Sequence, residues 1–171
     1  MSEELKIRLA RREESAEILK FVKAFAKYEK MSKLVTLTEE DIQVNIFDKG
    51  YARVLFMEVE NKVIGFAVYF YSFSTFLGKS VLYLEDLFIE NGMRGKGYGK
   101  EVLAYLAKTA QVKKCVRFEW SCLRWNKPSI AIYEKMNAIQ MNEWIKFRLD
   151  GKELANLAAK CTYEIDHWKS E

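Results

Sequence analysis

The chain has little of several things. Among its 171 residues are one proline, one histidine and three cysteines. A single histidine, His167, near the C-terminal end argues against a histidine-rich metal centre or a Ser/His/Asp triad. Cys115, Cys122 and Cys161 are odd in number and scattered, which suits neither a disulfide framework nor a zinc site with its close ligand pairs. Acid–base chemistry therefore falls to Tyr, Glu, Asp or Cys, with no metal expected. No Ser/Gly-rich linker, low-complexity run or internal repeat interrupts the sequence, so it reads as one domain over 1–171, with 161–171 a flexible or contact-making tail. The longest apolar stretch, Val63 to Tyr71, is far short of the roughly 20 residues that span a bilayer. The opening "MSEELKIRLARREES" lacks an apolar signal core, and a cytoplasmic protein with no membrane partner is expected. A net charge of +4, spread along the chain, gives no reason to expect nucleic acid.

Half of the residues are hydrophobic and 14% are aromatic, enough for a real core. "LKIRLA" alternates like a strand, and "REESAEILKFVKAFAKYEK" carries Ile18, Val22 and Phe25 at helical spacing, a stripe whose next step is Glu29. Thr38 with Asp41 three residues on marks a second helix start. "ARVLFMEVE", "KVIGFAVYFYSF" and "VLYLEDLFI" read as an antiparallel meander whose first turn is Glu60-Asn61-Lys62. "GKEVLAYLAKTAQVKK" reads as an amphipathic helix and "CVRFEWSCL" as a strand; "KPSIAIYEKM" reads as a helix opened by Pro128, "EWIKFRL" as a last strand and "KELANLAAK" as a closing helix. Strands giving way to alternating strands and helices predict an α+β fold with a mixed sheet.

Two stretches carry chemistry. Glu85 and Asp86 stand side by side in a run that reads as a strand, where neighbours point to opposite faces and one acid would enter the core. A β-bulge there would re-aim them. Arg94-Gly95-Lys96-Gly97-Tyr98-Gly99-Lys100 then joins that strand to a helix, the arrangement in which a helix's unpaired first N–H groups hold an anion. It is not a P-loop, since Arg94 and Glu101 occupy positions that motif reserves for Gly and Ser/Thr, and its third glycine falls one residue early for a dinucleotide fingerprint.

The loop resembles the R/Q-x-x-G-x-G/A pyrophosphate loop of the GNAT N-acetyltransferases. With "AKYEKM" (26–31), "LYLEDLFI" (82–89) and "WNKPSIAIYEK" (125–135) in the same order, the chain resembles the diamine (spermidine/spermine) and thialysine N-acetyltransferase branch over nearly its whole length. That resemblance implies acetyl-CoA as co-substrate and a small amine as acceptor. The central strand pair would splay, with the strand 116–122 leaving its parallel neighbour to make a cofactor cleft. Backbone groups of Leu87, Phe88 and Ile89 would bind the pantetheine arm, and Arg94, Gly95, Lys96, Gly97, Tyr98, Gly99 and Lys100 the pyrophosphate. Asn126 and Ser129 would add contacts. Tyr133 would be the catalytic acid, Glu85 the base, and Tyr28, Glu29, Glu85 and Asp86 the amine-binding residues. A homodimer is implied as well. An aliphatic amine with pKa near about 10 must lose a proton before it attacks, and a phenol with pKa about 10 can donate to a departing thiolate, so the assigned residue types suit the reaction.

The substrate stays open between a polyamine and an amino acid with a side-chain amine. Lys30 and Lys33 follow Glu29 where the polyamine enzymes are acidic, and the turn at Glu60-Asn61-Lys62 is shorter than in the mammalian polyamine enzymes. A catalytically silent acetyl-CoA sensor and a protein-lysine acetyltransferase are the competing readings.

Overall fold

The computed structural model describes residues 4–165; His167 and the end of the tail lie outside them. The chain groups into two compact units, Met1–Leu123 and Arg124–Glu171.

The first unit is a five-stranded sheet in the order β1 (Lys6–Leu9), β2 (Arg53–Val59), β3 (Lys62–Ser74), β4 (Lys79–Ile89) and β5 (Arg117–Trp120). The first four strands pair antiparallel, and β5 joins β4 in parallel. The β2–β3 turn is a two-residue loop, because Val59 faces Lys62 and both Glu60 (φ 50°) and Asn61 (φ 61°) are left-handed, the twist that antiparallel neighbours prefer.

Three helices are laid against the sheet, α1 (Ser15–Tyr28), α2 (Glu39–Ile42, continuing as a π-helical stretch Gln43–Asp48) and α3 (Tyr98–Val112). Ile18 and Phe21 of α1 and Ile42 of α2 join Val54, Phe56, Phe66, Val68 and Phe88 in one buried cluster. The opposite face of the sheet belongs to α3: Val102, Leu106 and Ala110 form its buried stripe, and Tyr105 lies close enough to influence the Tyr69 phenol. α2 begins at the capping box expected from its sequence, with Asp41 N–H donating to Thr38 Oγ1 (3.1 Å) and Thr38 N–H to the Asp41 carboxylate (2.9 Å). Arg8 ties β1 to its surroundings through Glu58 on β2 (2.7 Å) and Glu14 ahead of α1 (2.7 Å).

The second unit contains α4 (Lys127–Lys135), with Pro128 in its first turn as expected, and α5 (Gly151–Ala158). The strand expected over 143–149 is not formed. Trp144 (75% exposed) and Phe147 (87%) stand in solvent, and the segment pairs with no other strand among the described residues. Its pattern was adequate for a strand, but strand structure is completed by a partner's hydrogen bonds, which local sequence does not supply.

Candidate active site

Along β3 and β4 the partners run Tyr71 with Leu82, Phe70 with Tyr83 and Tyr69 with Leu84, and then Val68 with Asp86. Glu85 is the extra residue of a β-bulge, as the adjacent acids suggested. The bulge reverses the phase of the strand. Leu84 lies opposite Tyr69 on the α3 side, whereas Asp86 and Phe88 lie opposite Val68 and Phe66, which pack on the α1 side. Neither acid is driven into the core: Glu85 is exposed and Asp86 half-buried.

The bulge also coincides with the parting of the parallel strands. β4 and β5 stay in register only from Val81 with Arg117 to Leu84 with Trp120, and the Tyr83 and Ser121 hydroxyls, 2.7 Å apart, close the last step. Beyond it β4 continues beside β3 alone. Glu90 N–H donates to Ile64 O (2.9 Å), and this fixes the alternation: Phe88 and Asp86 turn their backbone groups toward β3, and Leu87 and Ile89 turn theirs toward the open side. Consistently, Ile89 O accepts a hydrogen bond from outside the sheet, from Arg94 Nε (2.7 Å). Of the three residues assigned to the pantetheine arm, Leu87 and Ile89 therefore present backbone groups outward. Phe88 contributes a buried ring to the core instead.

The end of α1 delivers the third acid. Met31 N–H bonds Ala26 O (2.8 Å) and Lys30 N–H bonds Lys27 O (3.1 Å), with Lys30 left-handed (φ 61°); this is a Schellman motif with Glu29 as its C-cap. Glu29 is thereby held half-buried at the rim of the cluster around Phe88 and Tyr28, whose rings are 6.3 Å apart. Burial, reinforced by the charges of Glu85 and Glu29, pushes the Asp86 carboxyl up to about 7. Burial also raises Glu29. Cys122, just past the end of β5, is raised by burial and by the charge of Glu29. Sequence reasoning did not anticipate this; an isolated cysteine beyond a strand carries no distinguishing pattern.

The glycine loop follows. Gly95 (φ 80°) and Gly97 (φ 95°) adopt left-handed conformations, and a Cβ at either would point into open space. Gly97 is the N-cap of α3 and its carbonyl accepts from Lys100 N–H (2.9 Å) and Glu101 N–H (3.3 Å). Arg94, Lys96 and Lys100 are exposed, Gly99 is half-buried, and Tyr98 is buried, so Tyr98 can offer an anion its backbone but not its phenol. In the second unit Asn126 is the N-cap of α4, and Ser129 and Tyr133 lie half-buried on that helix.

These features have relatives. The chain belongs to the Acetyltransferase (GNAT) family, which matches residues 17–138, and is an N-acetyltransferase. It is 29% identical over 167 residues to the thialysine N-epsilon-acetyltransferase of Mus musculus, covering 91% of this chain and 98% of that one. It is 31% identical over 163 residues to the spermidine/spermine N(1)-acetyltransferase-like protein 1 of Homo sapiens, covering 89% of this chain and 23% of that protein. The fold is similar to that of an integron cassette protein from the mobile metagenome of V. cholerae, with a TM-score of 0.78, 24% identity, and 92% and 98% of the two chains covered.

Proposed function

We propose that this chain transfers the acetyl group of acetyl-CoA to a primary amine of a small cation, either a diamine or polyamine or an amino acid with a side-chain amine such as thialysine. The observation that carries the reading is the grouping of Glu29, Glu85 and Asp86 at the bulge, where β4 parts from β5. Three carboxyls whose charges act on one another at the bulge make a site for an ammonium group and disfavour an anion.

The residues present fit acetyl-CoA. The outward backbone of Leu87 and Ile89 can pair with the pantetheine amides as an added strand would. The left-handed glycines open the approach to the first N–H groups of the 15-residue helix α3, which favour a diphosphate. When bound, acetyl-CoA supplies the activated acyl group as a thioester.

The chain's own part is to hold the cation and move protons. Glu29 and Asp86 bind the ammonium group, and Glu85, exposed at the bulge, takes its proton directly or through water. The phenol of Tyr133 returns a proton to the departing sulfur; this assignment rests on the match of "WNKPSIAIYEK" to the family motif. A relative that acts on thialysine and matches nearly end to end supports the amino-acid branch, and the human relative's name supports the polyamine one.

The test is steady-state release of CoA thiol from acetyl-CoA with putrescine, spermidine, spermine, thialysine, lysine and a lysine peptide. Turnover of one small amine far above the peptide supports the reading. Binding of acetyl-CoA without acetylation of any amine would establish the sensor instead.

A further inference from the structure

Tyr83 stands before the bulge and Asp86 after it, yet the two share a face of the sheet. Their partners on β3 are Phe70 and Val68, which point the same way, and the extra residue Glu85 makes Tyr83 and Asp86 successive neighbours on that face. Such neighbours lie about 7 Å apart along a strand. The Tyr83 and Phe70 rings, with centroids 5.1 Å apart, meet on this face. Further along it Phe66 and Phe88 lie under Phe21 and Phe25 of α1, whereas Tyr83 is only half-buried.

A second contact aims the ring. Its hydroxyl lies 2.7 Å from that of Ser121, whereas the direct partner of Tyr83 on β5 is Glu119. Because β4 and β5 run parallel, Ser121 lies two residues forward of that partner, in the direction in which Asp86 follows Tyr83. The phenol therefore leans toward the acid. Glu119 itself is engaged by Arg117 Nε at 2.9 Å.

An open aromatic ring next to a carboxyl suits an alkylammonium: the carboxylate meets the charge, and the ring packs the methylenes and attracts the cation. From these contacts we infer that Tyr83 is an acceptor-binding residue, packing the alkyl chain of the amine whose ammonium group Asp86 holds, and that Ser121 is the positioning residue that fixes its ring. The inference rests on the amine-acetylation reading above. It extends the acceptor site back across the bulge, to the last rung that β4 shares with β5.

The test is calorimetric, on the full chain, with putrescine and thialysine titrated in the presence of CoA and CoA titrated alone. Tyr83→Phe and Ser121→Ala each weaken the preferred amine about 3- to 10-fold, the span of one hydrogen bond. The double variant is no worse than either single one, since all three lose the same bond. Ser121→Thr, which keeps a hydroxyl, keeps the parent affinity, and Tyr83→Leu, which loses the ring, weakens the amine further. CoA affinity stays constant throughout, because Leu87, Ile89 and the glycine loop lie beyond the bulge. In turnover the loss falls on the amine KM and not on kcat. Thermal unfolding checks that each variant is folded; if Tyr83→Leu is not, the two variants that lose a single oxygen decide. Unchanged amine affinity in Tyr83→Phe, additive losses in the double variant, or CoA affinity that falls with that of the amine overturns the inference while the reading beneath it stands. A parent that binds CoA but no small amine overturns both.

Discussion

Glu29 and Asp86, one closing a helix and the other just past a bulge in a strand 57 positions along the chain, sit close enough that the Glu29 charge adds to burial in resisting the ionisation of Asp86. Their meeting depends on two backbone devices, the Schellman turn at Lys30 and the extra residue Glu85. Like charges are brought together only at a cost to stability, which a bound cation would relieve.

That cost has a pH signature. The Asp86 carboxyl is raised from its ordinary 3.8 to about 7, so in the folded chain it holds its proton more tightly than in the unfolded one. Its contribution to stability is complete below about pH 4 and drains away as the pH climbs through about 7. Asp86→Asn is therefore expected to gain stability relative to the parent as the pH rises from 4 to 8, which urea unfolding at several pH values checks. A constant difference between the two proteins would mean that Asp86 ionises freely.

Lys30 carries a side chain at a left-handed position (φ 61°) that glycine occupies without penalty. Lys30→Gly is expected to stabilise the protein by about 0.5–1 kcal/mol, measured by denaturant unfolding, because the strain removed outweighs the chain entropy added. Destabilisation would show that the Lys30 side chain supplies more than the turn.

Gly65 on β3 faces the opposite constraint. A Cβ there would lie 2.4 Å from Phe88 O and 3.1 Å from the Ile89 Cα, both backbone atoms of the strand that carries the site. Gly65→Ala is expected to cost about 1–3 kcal/mol and, by pushing β4 away, to weaken CoA binding as well. Unfolding and calorimetry on the same preparation check both effects.

Gly97 has room but the wrong dihedral for any other residue, with φ 95° at the N-cap of α3. Gly97→Ala is expected to weaken CoA affinity about tenfold while leaving the preference among amines unchanged, because the acids lie on other elements. A change in amine preference would tie the loop to the acceptor site directly.

Much of this arrangement was legible in the sequence. Adjacent acids inside a strand-like run announced the bulge, since regular alternation would bury one of them, and the structure places the extra residue at Glu85. The capping box at Thr38, the helical stripe ending at Glu29 and the glycine loop were likewise local signals. Three things were not local. The stacking of Arg94 on Tyr28 joins residues 66 positions apart, and the influence of the Glu29 charge on Cys122 depends on how β5 ends. The outward turn of Leu87 and Ile89, with Phe88 facing inward, is set by the register with β3. The segment 143–149 shows the converse, a good strand pattern that forms no strand.

The most direct measurement is the affinity of the preferred amine, with CoA present, from pH 5.5 to 9, where an aliphatic ammonium group stays protonated. Affinity that tightens severalfold through about pH 7, and a flat profile in Asp86→Asn, is the result expected if the carboxyls at the bulge hold the cation. A parent protein whose affinity does not change across that range would contradict the account and move the amine site away from Asp86.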